Sequence, residues 1–261
     1  MAISVVKVGS TLVADERGDV REEVLRGMCE QIAGLRASGE SIVLVTSGAI
    51  ARGMCLMGTP VRPSAMEDLQ AASAVGQGPL YRAYAELLDD RGVQSAQVLL
   101  TFFDMSARLQ YLNARRTLGR LLEWGVVPII NENDTTATDE ISFGDNDILA
   151  AQVAILIQAD LLVVLSDVDA LYTADPQENP DAARVSEVHE PGELEGYEIG
   201  MSSSHLGSGG MRSKVLAAEM TTSAGIPVVI CNGTRPGTLV GAVAGRPEGT
   251  RFHPRESPVS S

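Results

Sequence analysis

Short apolar runs alternate along the chain with longer segments whose apolar positions recur at helical spacing. The runs are Ile3–Val8, Ile42–Val45, Gln94–Leu100, Val126–Ile130, Leu161–Leu165 and Pro227–Cys231. Most are continuous in hydrophobicity, as strands covered on both faces are. Val20–Ser38 follows the first run with Val24, Met28, Ile32 and Leu35 on one helical face, and Ser38-Gly39 closes it. Helices are also predicted over Ala65–Arg91, Leu109–Trp124, Ile148–Ala159 and Met211–Ala224. Gly76-Gln77-Gly78-Pro79 is expected to bend or split the helix over Ala65–Arg91. Gly58–Ser64 reads as a loop, residues 177–207 as irregular, and Thr135–Phe143 as a small β-branched hairpin. Strand after helix after strand predicts an α/β fold: a three-layer sandwich with a mostly parallel central sheet and helices on both faces. The pattern does not give the order of the strands.

The stretch from Pro128 to Ile148 breaks this pattern with chemistry. Between two apolar segments it holds six carboxylates (Glu132, Asp134, Asp139, Glu140, Asp145, Asp147) and three asparagines (Asn131, Asn133, Asn146). No Lys or Arg lies between Arg120 and Arg184, so these acids have no cation near them in sequence. Ionised carboxylates at a strand end require a cation, backbone amides or water. A solvated hairpin with an Asp helix cap meets that need, and so does a site for a ligand bearing an ammonium group.

Charge narrows the function classes. The net charge of −14 argues against a nucleic-acid surface and against an anionic membrane. No apolar stretch is long enough to span a bilayer, and Met1–Val8 lacks the basic-then-apolar pattern of a secretory signal. Cys29, Cys55 and Cys231 are odd in number and widely spaced, which fits neither a disulfide framework nor a zinc site. They read as buried structural thiols in a cytoplasmic protein. His189, His205 and His253 are scattered, away from the other chemical signals. The chain has 18 arginines but only two lysines, Lys7 and Lys214, and both lie beside glycines. Lys is a compact point charge where Arg is a wide fork, and a crowded phosphate pocket selects the compact one.

Several turns fit such a pocket. The first two strands end in Gly9-Ser10-Thr11 and in Thr46-Ser47-Gly48, and Ser208-Gly209-Gly210-Met211-Arg212-Ser213-Lys214 opens a helix. Glycine at a helix start lets an anion approach backbone amides. The turns at 9–11, 46–48, 131–134 and 166–167 are expected on one edge of a parallel sheet. Neither a Walker A loop nor a Rossmann fingerprint is present. Two lysines, glycine amides and clustered acids suit phosphoryl transfer, which depends on positioning and charge neutralisation. A carboxylate acceptor needs no base at neutral pH, in keeping with the lack of a histidine base.

With V-V-K-V-G-S, V-T-S-G-A-I, A-V-G-Q, Q-V-L-L-T, P-I-I-N-E-N-D, G-D-N-D, L-Y-T-A-D-P and S-G-G-M-R-S-K in order, the chain resembles the amino acid kinase family. The resemblance runs over roughly residues 3–253 and is closest to the branch that phosphorylates the side-chain carboxylate of L-glutamate to glutamyl 5-phosphate in proline biosynthesis. It implies one kinase domain over residues 1–253, and 254–261 as a tail or the start of a linker; many bacterial members continue into a C-terminal PUA domain. It also implies roles. Lys7 and Lys214 bind the phosphates of ATP and steady the transferred group. Gly9 and Gly48 donate amides to that group, and Asp147 holds the lysines. Ser47, Asp134 and Asn146 bind glutamate, Asp134 meeting its ammonium, with Asn131 and Asp145 as accessories. Ser166 and Asp167 border the nucleotide, and Ser208, Gly209, Gly210, Met211, Arg212, Ser213 and Lys214 cover its phosphates. No protein metal ligands are implied; Mg²⁺ enters through the ATP phosphates. Proline is implied as a feedback inhibitor at the 131–147 hairpin, with Glu140 as a contact, and the chain as a homo-oligomer. Ala150, Ser166 and Ala170 depart from the serine, threonine and glycine usual at those places. The alternatives are a kinase for another acid, such as aspartate or acetylglutamate, and a non-catalytic sensor of nucleotide or proline.

Overall fold

In the computed structural model of the chain, residues 2–59, 61–136, 146–176, 178–195, 197, 210–246 and 248–255 are described. The apolar runs form strands, and most of them lie in one sheet. In chain order the elements are β1 (Ile3–Val8), α1 (Ser10–Val13), α2 (Glu22–Ala37), β2 (Ser41–Val45), α3 (Ala49–Met57), α4 (Met66–Asp89), β3 (Ser95–Leu100), α5 (Phe102–Ser106), α6 (Arg108–Glu123), β4 (Val127–Glu132), α7 (Asn146–Ile157), β5 (Leu161–Ser166), β6 (Leu171–Tyr172), β7 (Arg184–Val185), β8 (Glu187–Val188), α8 (Met211–Ser223), β9 (Val228–Asn232), α9 (Thr238–Val243) and β10 (Thr250–Phe252).

The main sheet has eight strands in the order β3-β4-β2-β1-β5-β9-β10-β8. Its pairings are parallel except between β9 and β10. β6 and β7 form a separate antiparallel pair. Alternate residues of each central strand enter different cores. Val5, Val43, Val45, Leu162, Val164, Val228 and Ile230 pack with α7 and α8 on one face. Val6, Val8, Ile42, Leu44, Val163, Val229 and Cys231 pack with α1, α2, α4 and α9 on the other. This is the three-layer sandwich that the sequence pattern predicts.

The predicted break in the second long helix does not occur: α4 runs unbroken from Met66 to Asp89 with Pro79 inside it. Its Gly76 is there for packing. A Cβ on Gly76 would lie 1.9 Å from Ala49 O, and one on Gly53 would lie 1.7 Å from Ala72 O. The absence of side chains at these positions lets α3 and α4 cross with their backbones in contact. The fourth strand also runs further than predicted, to Glu132, so Asn131 sits within it. The helix after the acidic stretch begins at Asn146, which puts Asn146 and Asp147 in its first turn. One short helix precedes the third predicted helix: α5 is capped by Thr101 and Asp104, each bonded to the other's backbone. The hairpin expected at 135–143 lies largely outside the described residues. Cys29 and Cys231 are buried, and burial pushes both thiols up to about 12, as the structural reading requires. Cys55 is only half-buried, with its thiol 3.3 Å from Asp19 Oδ1.

Candidate active site

The neighbours β4, β2, β1 and β5 run parallel, so their C-terminal ends share one edge. The turns at 131–134, 46–48, 9–11 and 166–167 therefore gather there, as sheets of this kind allow. α7 starts behind β2 and β1, and α8 packs beside α7.

At the centre is Asp147, with no exposed surface. Lys7, in β1, approaches Asp147 Oδ1 to 2.6 Å, and Lys214, in the first turn of α8, approaches Oδ2 to 3.1 Å. Ser213 Oγ donates to the same Oδ2 at 3.0 Å. Both lysines are themselves buried, at 4% and 6% exposure. Burial opposes the Asp147 charge, but the two ammonium groups and their hydrogen bonds outweigh it and hold the carboxyl below its ordinary value. The result is a buried cation–anion–cation frame with a net charge of +1. Such a frame suits a ligand that brings more negative charge. Asp147, one of the acids that lacked a cation in sequence, thus meets two across the fold.

A second network holds the neighbouring pocket. Asn146 Nδ2 donates to Thr46 O at 2.6 Å, to Asn131 Oδ1 at 2.7 Å and to Ser47 Oγ at 3.2 Å. Asn131 Nδ2 in turn donates to Gln77 Oε1. With its amide nitrogen turned inward, Asn146 Oδ1 is left as a buried acceptor with no partner among the described residues. Asp134 is 5% exposed and accepts from Ser73 Oγ. Burial pushes its carboxyl above the ordinary value, against the Ser73 hydrogen bond and the Arg62 guanidinium. A buried carboxylate and a buried orphan carbonyl on one sheet edge together favour a cationic donor such as a primary ammonium.

The glycine turns differ from each other. Gly48 caps α3 at φ +100°, a left-handed backbone that glycine adopts without strain, and it leaves the start of α3 open to an anion. Gly9 is a correction: its N–H donates to Leu165 O at 3.0 Å and is engaged within the sheet edge. The turn's open amides are instead those of Ser10 and Thr11, which begin α1 and have no intrahelical acceptor. Ser166 is buried at the end of β5, and its Oγ donates to the exposed Asp167 at 3.2 Å. Gly210 caps α8, with Met211 half-buried and Arg212 exposed in the first turn. Asp145, Ser208, Gly209 and Glu140 lie outside the described residues.

Sequence reasoning missed Ser73, Gln77 and Arg62. Ser73 and Gln77 stand four residues apart on α4, which puts them on one face. A polar pair at that spacing beside Leu69, Ala72 and Leu80 was the available signal. A loop clasp beside Asp167 was missed as well: Asn232 Nδ2 donates to Asp169 Oδ1 at 2.7 Å, and Arg235 pairs with the same carboxylate.

The amino acid kinase family model matches residues 2–232. The glutamate 5-kinase of Synechococcus sp. (strain JA-3-3Ab) is 44% identical over 258 residues, covering 98% of this chain and 70% of that protein. A glutamate 5-kinase of Thermus thermophilus is 48% identical over 255 residues, covering 96% of this chain and 67% of that protein. That of Burkholderia multivorans is 46% identical, covering 98% and 69%. Among solved structures, the isopentenyl phosphate kinase of T. acidophilum in a product complex superposes with a TM-score of 0.69 over 97% of this chain and 100% of that one. At 16% identity, that likeness carries the fold alone. The chain belongs to the amino acid kinase family, and within it lies with the glutamate 5-kinases.

Proposed function

We propose that the chain transfers the terminal phosphoryl group of ATP to the side-chain carboxylate of L-glutamate, giving glutamyl 5-phosphate and ADP. The observation that carries this reading is the buried Lys7–Asp147–Lys214 frame at the sheet edge, 2.6 and 3.1 Å across its two contacts.

The chemistry follows from that frame. A carboxylate oxygen of glutamate attacks the terminal phosphorus, and the bond from that phosphorus to the bridging oxygen of ADP breaks. The attacking oxygen is already ionised, so no base takes a proton. Negative charge spreads over the transferred group and the departing oxygen, and Lys7 and Lys214 neutralise it from fixed positions. Asp147 keeps the two ammonium groups from repelling each other before ATP arrives. Ser10 and Thr11, Gly48, and the start of α8 from its cap Gly210 add amides and a positive helix end for the phosphates. Ser166 and Asp167 border the nucleotide. Mg²⁺ accompanies ATP and neutralises part of its phosphate charge. Among the described residues the frame's one carboxylate, Asp147, is already engaged by both lysines, which supports Mg²⁺ being held through the phosphates.

Asp134 and Asn146 Oδ1 receive the glutamate ammonium, and Ser47 and Asn131 fix Asn146 in the orientation that presents that oxygen. The orphan acceptor on Asn146 supports this assignment. Proline as inhibitor, cytoplasmic residence and a homo-oligomer complete the proposal. Exposed Leu99, Phe102, Phe103 and Leu109 at the β3 edge support the last. Among the described residues no helix is long and apolar enough to cross a membrane.

Hydroxylamine traps acyl phosphates as hydroxamates. With ATP, Mg²⁺ and hydroxylamine, hydroxamate is expected with L-glutamate and not with aspartate or acetylglutamate. Signal with one of those acids and none with glutamate would overturn the substrate assignment.

A further inference from the structure

The far edge of the sheet, three strands beyond β5, brings together side chains that are scattered in sequence. β8 and β10 pair in parallel, with Arg251 opposite Glu187 and Phe252 opposite Val188. The next residues on each strand are His189 and His253, and His253 N–H donates to Val188 O at 2.9 Å. The two-residue period of a strand puts Glu187 and His189 on one face, with His253 beside them. The two imidazoles stack with centroids 4.2 Å apart and planes 12° from parallel. Nε2 of each lies 3.3 Å from Glu187 Oε2, and the three donor atoms fall within 4.8 Å of one another. A small cavity lined by His189, His253, Glu190, Glu219 and Arg255 adjoins them.

We propose that Glu187, His189 and His253 bind a divalent transition-metal ion of the zinc class. Ligands held at about 2.0–2.1 Å in a tetrahedron stand roughly 3.3 Å apart, which is the spacing of both histidine–glutamate edges. The donor set is two imidazoles and one carboxylate, with water for the fourth position. Imidazole favours zinc, cobalt, nickel and copper over magnesium, so the Mg²⁺ that accompanies ATP does not compete. The backbone is already fixed: Arg251 N–H donates to Ser186 O at 2.9 Å, and His189 N–H to Glu193 Oε1 at 3.2 Å. The rings must turn out of their stack to converge on one ion, and their side chains, 60% and 34% exposed, have room to do so. Glu190 and Glu219 add negative charge beside the site, and Arg255 offsets part of it. Bound metal would staple β8 to β10, the strand that joins it to the rest of the sheet.

The test uses the full chain, stripped of metal with a chelator and titrated with zinc chloride in a calorimeter without nucleotide. One equivalent is expected, with a rise in Tm that is reversed by chelator. His189→Ala and His253→Ala should each weaken binding by more than the roughly 10–100-fold that loss of an outer-shell partner costs. Both variants should keep wild-type kinase activity, because they lie outside the catalytic frame. Cys55→Ser should keep the bound equivalent, which excludes the half-buried thiol as its holder. Zinc retained at full affinity in the doubly substituted protein, or wild-type binding weaker than about 100 μM, would overturn the proposal.

Discussion

Asp147→Asn removes one charge while keeping the size and shape of the side chain. In the native protein its oxygens sit 2.6 Å from Lys7 Nζ and 3.1 Å from Lys214 Nζ, with all three groups buried. At an effective dielectric of about 20, contacts of that length carry gross attractions of roughly 6 and 5 kcal/mol. Desolvation of three charges offsets much of this, so the net effect is better taken from the cost of leaving a buried charge without its partner. That cost is about 3–5 kcal/mol. Urea melts followed by far-UV circular dichroism at pH 7 should show a loss of that size. The pH dependence has a definite sign. The folded-state carboxyl lies below its ordinary value, so its stabilisation is complete above pH about 4 and is lost as pH falls through the lower folded value. The gap between wild type and variant should therefore narrow in acid. Phosphate oxygens can replace the missing carboxylate as a counter-charge, so MgATP should raise the Tm of the variant more than that of wild type. Losing one preorganised charge-stabilising group costs about 10²–10³ in kcat, and misplacing two lysines should cost at least that. A variant within about 1 kcal/mol of wild-type stability, with kcat within about tenfold, would refute the frame.

Four further outcomes follow from the structure. Lys214→Ala should reduce kcat by about 10³ in a coupled ADP-release assay while the protein stays folded. Asp134→Asn should raise KM for glutamate by about tenfold or more and leave KM for ATP nearly unchanged, since hydrogen bonds to charged groups are worth about 1.5–3 kcal/mol. Because burial raises the Asp134 carboxyl, kcat/KM for glutamate should decline on the acid side at a higher pH than an ordinary aspartate gives, and Asp134→Asn should remove that decline. Gly76→Ala should destabilise the fold by about 1–3 kcal/mol or more in urea melts, because its Cβ would meet the Ala49 carbonyl.

The buried strands were legible because a strand covered on both faces is apolar throughout; β1, β2 and β5 match their predicted runs to within one residue at each end. β10 was not, since three residues with one charge carry no period. Gly76-Gln77-Gly78-Pro79 misled because local backbone preference argues for a break. Tertiary contact with α3 rewards the glycine and keeps the helix whole. The capping box of α5 was readable at Thr101 and Asp104, but it opens a helix of five residues with no apolar face to confirm it. At the site, Lys7, Lys214 and Asp147 stood out through the rarity of lysine and the family motifs. Their contacts, 140 residues apart for Lys7 and Asp147 and 67 for Asp147 and Lys214, belong to the fold. Gly9 looked like an amide donor from its neighbours, and only the sheet shows its N–H bonded to Leu165. His189 and His253 likewise become neighbours only once β8 and β10 are aligned.

The central claim is that a carboxylate oxygen of glutamate attacks phosphorus within the Lys7–Asp147–Lys214 frame. Glutamate carrying ¹⁸O in its side-chain carboxylate tests this directly. Once hydroxylamine cleaves the acyl phosphate at carbon, the released phosphate should carry one labelled oxygen, detected by mass spectrometry, and only when glutamate, ATP and Mg²⁺ are all present. Unlabelled phosphate would mean that water, and not the substrate carboxylate, takes the phosphoryl group, and would contradict the account.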